Sequence, residues 1–209
     1  MKVIVFGATG TVGRLFVAYA VDAGHQVTAF ARNPEKLDME DANLSLLAGD
    51  ALNQVAVSDA IRGHDAVVVT LGSGRSRRSI IRSKGTANII KGMKQHGVRR
   101  LVCQSTLGAH ESWSNLNFFW KRIMFGVLLR PVFREHELQE DLVRHSGLDW
   151  TLVRPSAFTD GPAKGSYREN FGPGERNLTL KIPRADVAAF LNRQLSDAGY
   201  MNRAVGVSC

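Results

Sequence analysis

Three glycines stand at fixed spacing near the start of the sequence. Residues 7–13 read GATGTVG, a GxxGxxG pattern that follows the apolar run Val3–Phe6 and precedes an amphipathic stretch. Glycine has no Cβ, so backbone at such a turn approaches a pyrophosphate closely. The following helix offers free N–H groups and the positive end of its dipole. The spacing departs from the GxGxxG fingerprint, and a tight turn without ligand is the alternative. Strand, glycines and helix together predict a dinucleotide-binding turn.

The residues after the second apolar run indicate which dinucleotide binds. About 20 residues past the glycines, an acidic side chain would hold the ribose 2′-hydroxyl of NAD. Here Arg32 follows Phe30 and Ala31, with Lys36 close behind. An arginine forms forked ion pairs with a 2′-phosphate. A surface arginine without a ligand is the alternative, and the sequence favours NADP(H).

The rest of the first half consists of elements that would position these residues. Short apolar runs alternate with helical patterns, which is typical of βαβ units and a parallel sheet. The predicted strands are Val3–Phe6, Val27–Phe30, Leu44–Leu47, Ala66–Thr70, Leu101–Gln104 and Trp150–Val153, and the predicted helices are Val12–Ala23, Val55–Ile61 and Ile80–His96. We expect an α/β fold, a Rossmann-like doubly wound parallel sheet with helices on both faces, in a single domain of residues 1–209.

The pattern changes after Thr106, and residues 107–183 are expected to form most of the substrate-side wall. The predicted elements are a helix over Ser114–Leu129, a second from Pro131 to about His145, an irregular loop with a hairpin over Asp160–Pro183, a closing helix over Arg184–Leu195 and a last strand over Ala204–Ser208. The aromatic helix over Ser114–Leu129 has three interpretations: core, lid or partner surface.

The net charge of +8 is unevenly distributed. No acidic residue lies between Ala66 and His110, a stretch that contains Arg75, Arg77, Arg78, Arg82, Lys84, Lys91, Lys94, Arg99 and Arg100. A solvated basic face, a wall that attracts a polyanionic cofactor or acidic substrate, and a nucleic-acid surface are the interpretations. No aromatic side chain lies among these residues to stack on bases, so nucleic acid is the least favoured partner.

Composition narrows the class of protein further. A hydrophobic content of 44% and a charged content of 22% are typical of globular proteins. No stretch approaches the roughly 20 apolar residues of a membrane span, so no membrane partner is expected. The two cysteines form no disulfide framework, and no cluster has metal-ligand spacing, which predicts a cytoplasmic protein without a metal.

Several motifs together resemble a known family. They are GATGTVGR at 7–14, ARNPEKL at 31–37, GD at 49–50, LVCQST at 101–106, SGLDWTLVRPSAFTDGP at 146–162 and IPRADVAAFL at 182–191. These segments look like the atypical short-chain dehydrogenases/reductases, and the likeness covers nearly the whole chain. Within them the chain is similar to the NAD(P)H-binding group that contains biliverdin reductase B, a flavin reductase, and the NmrA-like proteins.

The resemblance implies a cofactor site, placed here by position. The pyrophosphate contacts would be Gly7, Thr9, Gly10, Thr11, Val12 and Gly13. Arg32 would bind the 2′-phosphate, and Asp50 with Ala51 or Leu52 would contact the adenine. The remaining cofactor contacts would be Leu71, Gly72, Ser73 and Pro155.

The resemblance also implies catalytic candidates. Ser105 and Thr106 would lie beneath the nicotinamide, and Thr106 fits the substrate-facing serine of biliverdin reductase B slightly better. His136 matches a histidine of that pattern, whereas Pro155-Ser156 replaces another one. His136 lies four residues before Glu140, so both point the same way from one helix, and histidine exchanges protons near neutral pH. An ordinary polar contact is the alternative.

Mainstream members of the superfamily use a Tyr-x-x-x-Lys pair. None of Tyr19, Tyr167 and Tyr200 has a lysine four residues later. A conjugated acceptor delocalises the charge of the incoming hydride, so positioning supplies much of the rate. The leading hypothesis is therefore an NADPH-dependent reductase of a flavin, quinone or tetrapyrrole. The alternative is a non-catalytic NADP(H)-sensing regulator that acts through a protein partner, and a sugar-nucleotide enzyme ranks lower.

Overall fold

The structure, a computed structural model, describes residues 1–74, 76 and 78–209, so the basic residues Arg75 and Arg77 lie outside the described part. The strands are β1 (Lys2–Phe6), β2 (Gln26–Ala31), β3 (Leu44–Ala48), β4 (Ala66–Val69), β5 (Arg100–Gln104), β6 (Asp149–Pro155), β7 (Ala157–Thr159), β8 (Arg168–Glu169), β9 (Lys181–Pro183) and β10 (Arg203–Ser208). The α-helices are α1 (Gly13–Asp22), α2 (Gln54–Ile61), α3 (Ile81–His96), α4 (Arg130–Arg144) and α5 (Arg184–Arg193).

One sheet organises the molecule, in the strand order β3-β2-β1-β4-β5-β6-β10-β8. Its strands pair in parallel except β8, which runs antiparallel to β10. The chain leaves β1 towards β3 and returns to β4 on the other side of β1. In open α/β sheets, such a reversal leaves a crevice at the carboxyl ends of the strands, where ligands bind. The predicted single-domain, doubly wound α/β fold is confirmed.

Helices cover both faces of the sheet because successive strand residues point to opposite sides. Val3 and Val5 of β1 enter the core that Phe16 of α1 and Phe190 of α5 share. Ile4 and its neighbours enter the core with α2, α3 and α4. The central strands are apolar on both faces, which is typical of parallel strands buried between helix layers.

Two predicted elements differ in the structure. The helix expected over Ser114–Leu129 is a 3₁₀ segment, His110–Asn115, followed by a π-helix, Phe119–Leu128. The hairpin expected within Asp160–Pro183 is wrong, since β8 pairs with β10 and β9 pairs with β7. Glycine and proline mark turns, but they do not specify which distant strand a short segment will join. No helix among the described residues is long and apolar enough to cross a membrane.

Candidate functional site

A groove of about 720 Å³ lies at the carboxyl ends of β1, β2, β3 and β4. Its lining includes most residues predicted to bind a cofactor: Gly7, Thr9, Gly10, Thr11, Val12, Arg32, Asp50, Ala51, Leu71, Gly72 and Ser73. Gly13 lies behind the turn, and Pro155 lines a neighbouring cavity. The groove is therefore formed by loops that each follow a strand of the parallel sheet.

The glycine turn is shaped by close backbone approach. Gly7 has φ +90°, and a Cβ there would lie 2.7 Å from the carbonyl oxygen of Thr70. A Cβ at Gly13 would collide with the carbonyl oxygen of Gly7, so Gly13 closes the turn from behind. The backbone N–H groups of Thr11 and Val12 donate to no described residue. Free N–H groups at a helix N-terminus fit the oxygens of a pyrophosphate.

Two charged side chains, Arg32 and Asp50, line the far end of the groove among the described residues. Arg32 is exposed at the end of β2 and forms no ion pair with a described residue. Asp50 is the one carboxylate among the described lining residues, and its Oδ1 accepts the N–H of Leu52 at 2.9 Å. Lys36, which lies close behind Arg32 in the sequence, is not among the described lining residues of the groove. Its carbonyl oxygen accepts a hydrogen bond from Arg14 Nη2 at 3.0 Å.

The basic stretch between Ala66 and His110 divides among several roles. Arg99 pairs with Asp149 at 2.9 Å, and Lys91 and Lys94 are exposed on α3. Among the described cations of this basic stretch, Arg82 alone lines the groove. Its Nη1 donates to Ser73 Oγ at 3.2 Å, and its Nε is buried without a partner in the described structure. Burial lowers the pKa of Arg82 and nearby Glu135 partly offsets that effect.

A smaller cavity of about 200 Å³ adjoins the groove, and Arg82, Gln104 and Phe158 line both. It contains all the predicted catalytic candidates, Ser105, Thr106 and His136, together with Pro155 and Ser156. Its apolar lining is Leu107, Leu116, Trp120, Phe125, Leu129, Val132, Ala157 and Leu180. The sequence predicted the polar candidates, whereas Arg82, Gln104 and the wall residues emerge only when distant segments come together.

The smaller cavity gathers polar atoms that lack partners. Gln104 Oε1, Ser105 Oγ, His136 Nδ1 and Ser156 Oγ are buried and form no hydrogen bond with described residues. Buried polar atoms normally have a partner, so a cluster of unpaired ones in one cavity fits a polar ligand. Thr106 differs, because its hydroxyl donates to the carbonyl oxygen of Leu107 at 3.3 Å.

His136 is held in its neutral form. Its burial lowers its pKa well below the usual value, and the charge of Arg82 lowers that pKa further. At neutral pH the uncharged imidazole offers hydrogen bonds, and a catalytic role for His136 stays a prediction. Glu140, on the same helix, pairs with Arg154.

Arg154 and Glu140 belong to a buried ion-pair cluster at the end of β6. Arg154 Nε donates to Glu140 Oε1 at 2.8 Å and its Nη1 donates to Glu111 Oε1 at 2.9 Å. Burial would raise the pKa of Glu111, but hydrogen bonds from Arg154 and Arg144 lower it to about 2. The cluster fixes α4, and with it His136, against β6.

Asp160 pairs with Arg184 at 2.6 Å. Arg154 and Asp160, the two charged residues near the end of β6, therefore both have structural partners.

The tyrosines lie away from both cavities. Tyr19, Tyr167 and Tyr200 pack against the core between the sheet, α1 and α5. Tyr200 donates its hydroxyl to Glu169 at 3.0 Å. The polar groups among the described lining residues of the smaller cavity are therefore hydroxyl, amide, imidazole and guanidinium groups.

The doubly wound sheet and its glycine-turn groove define a dinucleotide-binding protein of the Rossmann type. The chain belongs to the NAD(P)H-binding family, which matches residues 7–198. This finding confirms the family resemblance of the sequence motifs and supports a nicotinamide cofactor for the groove.

Individual relatives have several chemistries in their names. The chain is 28% identical over 98% of its length to YhfK of Bacillus subtilis, described as an uncharacterized sugar epimerase, and covers 92% of it. It is also 28% identical to the (4-alkanoyl-5-oxo-2,5-dihydrofuran-3-yl)methyl phosphate reductase of Streptomyces griseus. That match covers 99% of this chain and 67% of the reductase. The solved structure of ChuY, an anaerobillin reductase from Escherichia coli O157:H7, shares the fold with a TM-score of 0.81. The two sequences are 23% identical, and the match covers 100% of this chain and 97% of ChuY.

Proposed function

We propose that the protein is an NADPH-dependent oxidoreductase that transfers hydride to a conjugated acceptor, namely a flavin, a quinone or a tetrapyrrole. The observation that carries this proposal is the smaller cavity, whose unpaired polar atoms adjoin the cofactor groove through Arg82, Gln104 and Phe158. Two relatives named as reductases, of a furanone phosphate and of anaerobillin, support reduction as the chemistry. The two free cysteines agree with a cytoplasmic location, which we retain in the proposal.

The groove residues have separate tasks in this proposal. The N–H groups of Thr11 and Val12 bind the pyrophosphate, and Arg32 binds the 2′-phosphate by charge-assisted hydrogen bonds. Asp50 and Ala51 contact the adenine. Leu71, Gly72 and Ser73 lie along the path to the nicotinamide. The bound nicotinamide supplies the hydride.

The cavity residues orient the acceptor and exclude water. Ser105 and Thr106 form the floor at the end of β5, and Pro155 closes the end of β6. Neutral His136 and Ser156 provide hydrogen bonds to heteroatoms of the acceptor. Trp120 and Phe125 contribute apolar surface that matches a planar conjugated ring. Because the acceptor delocalises charge, no tyrosine acid is needed, and positioning supplies much of the rate.

A second candidate is a non-catalytic NADP(H)-sensing regulator that acts through a protein partner. It is favoured by the exposed apolar residues beside the π-helix, among them Phe118, which is 74% exposed. Tight binding of NADPH with no turnover of any acceptor would support this candidate against the reductase.

The first experiment is calorimetric titration with NADPH and NADH. We expect NADPH to bind at least about tenfold more tightly, and Arg32→Ala to remove that preference, since hydrogen bonds to charged groups contribute roughly 1.5–3 kcal/mol. Arg203→Ala, an exposed arginine at the start of β10, is the matched control and should retain the preference. Stopped-flow mixing of NADPH with FMN, menadione and biliverdin then tests turnover of a flavin, a quinone and a tetrapyrrole. Failure of both nucleotides to bind, or oxidation of NADPH no faster than background with all three acceptors, would refute the reductase.

A further inference from the structure

The segment that walls the smaller cavity has a second, outward side. Trp120 and Phe125 line the cavity, and Phe125 stacks on Phe133 with ring centroids 4.6 Å apart. The exposed apolar residues of the same segment are Phe118, Phe119, Ile123, Val127 and Leu128, which we call the outer face. Val127 is 72% exposed. Isolated exposed apolar residues are ordinary, whereas a contiguous set on one short segment indicates an interaction surface.

Cations border the outer face. A groove of about 800 Å³ between the π-helix and α4 is lined by Lys121, Arg122, Arg130 and Arg134. Glu137 is the one acidic residue among its described lining residues. No aspartate or glutamate occurs in the sequence from Ser112 to Arg134. The surface therefore combines exposed aromatic and aliphatic side chains with unbalanced positive charge.

We propose that the outer face docks on an anionic lipid surface. Helices that lie in the membrane interface place Phe, Trp and Leu in the headgroup boundary and keep Lys and Arg at the phosphates. Long cationic side chains reach the phosphates while their methylene stems cover apolar surface. Each cation near such a surface contributes to binding, and the contribution falls with salt. The expectation of no membrane partner rested on spanning length, which does not bear on interfacial docking.

The distribution of charge and of aliphatic side chains favours a lipid surface over a second copy of the chain and over a nucleic acid. A twofold interface between copies of the chain would bring the same patch of each copy together, so Arg122 and Arg130 would face like charges. A nucleic acid would match the charge and would find rings at Phe118 and Phe119, but the aliphatic Ile123, Val127 and Leu128 have no ring to stack on bases. A lipid surface satisfies both the cations and the aliphatic side chains.

Flotation with vesicles tests the proposal without using the proposed reductase activity. The probes are vesicles of phosphatidylcholine alone and of equal parts phosphatidylcholine and phosphatidylglycerol. We expect the protein to float with the anionic vesicles only, and added salt to release it. Arg122→Gln/Arg130→Gln should weaken binding at least about tenfold, and Phe118→Ser/Val127→Ser should weaken it comparably.

Matched controls keep the result interpretable. Val55→Ser changes a side chain that is 70% exposed on α2, and Lys94→Gln removes an exposed cation of α3, so both should bind as the wild type does. Circular dichroism melting confirms that each variant folds. No binding to anionic vesicles, equal binding to neutral ones, or full retention by both double variants would overturn the proposal.

Two further results would replace the lipid with another occupant. A labelled single-stranded oligonucleotide that binds where vesicles do not, and is lost in Arg122→Gln/Arg130→Gln, would make the face a nucleic-acid surface. A dimer in sedimentation that dissociates in Phe118→Ser/Val127→Ser would make the face a contact between copies.

Discussion

The cofactor groove and the smaller cavity lie side by side but are built in different ways. Backbone turns form much of the groove, each directly after a strand, with Gly7 and Gly13 fixing the first turn. Side chains from α3, β5, the π-helix, α4 and β6 form the cavity. Its geometry depends on Arg154 and Glu140, which are 2% and 0% exposed. The comparison indicates that binding of the cofactor should tolerate substitutions that disrupt the acceptor side.

The largest expected effect comes from breaking the ion-pair cluster. Arg154→Met leaves the buried Glu140 with only Arg144, 3.7 Å away, as a cationic partner, so we expect the free energy of unfolding to fall by about 3–5 kcal/mol. Urea unfolding measures this loss. Arg168→Met is the control, because its pair with Glu175 is surface-exposed and should contribute no more than about 1 kcal/mol.

The double variant Arg154→Met/Glu140→Leu should recover part of that stability, since no charge is left buried alone. If Arg154→Met lost less than the surface control, the cluster would not hold the cavity together. At a temperature where the single variant stays folded, its affinity for NADPH should remain closer to that of the wild type than its turnover of acceptor.

Arg82 tests the boundary between the two regions. Because Arg82 lines both cavities, we propose that it contacts the phosphate of a phosphorylated acceptor. We therefore expect Arg82→Gln to raise the KM for FMN by about tenfold and to leave the KM for riboflavin, which has no phosphate, almost unchanged. The dissociation constant of NADPH should change little. Steady-state kinetics and calorimetry measure both quantities. An equal loss of NADPH affinity would instead assign Arg82 to the cofactor side.

The neutral state of His136 predicts a pH dependence. Its pKa in the folded protein is lowered, so the unfolded state binds the proton first as the pH falls below about 6.5. Stability is therefore present above this pH and is lost below it, by at most about 1.4 kcal/mol per pH unit for one proton. His136→Gln should flatten this part of the profile. If urea unfolding gave the same pH dependence of stability for the wild type and for His136→Gln, His136 would lie in a solvated environment.

The smallest expected effect lies on the cofactor side. Asn53 caps α2 by accepting the N–H groups of Val55 at 3.1 Å and Ala56 at 3.2 Å. Asn53→Ala should cost about 1 kcal/mol, whereas the exposed neighbour Gln54→Ala should cost almost nothing. NADPH affinity should stay unchanged in both. If Asn53→Ala lost affinity for NADPH and Gln54→Ala did not, the adenine side of the groove would depend on this cap.

The elements of the groove could be predicted because their signals are local. Apolar runs placed β1 to β6 within about two residues of their observed bounds, and alternation with helices implied parallel pairing. Arg32 could be placed for the same reason, since it follows β2 directly, whereas Asp50, two residues after β3, was placed by the family resemblance. Short segments were predicted less well, because the partners of β8 and β9 lie far away in the chain.

The sequence by itself determined the doubly wound sheet, the glycine turn and the cation after β2, since period, glycine spacing and strand ends are properties of neighbouring residues. The tertiary structure alone decided that His136 is neutral, that Glu140 belongs to Arg154, and that Arg82 lies between groove and cavity. These outcomes depend on burial and on contacts between residues distant in the chain, because a buried charge is unfavourable unless a partner from elsewhere in the chain pairs with it.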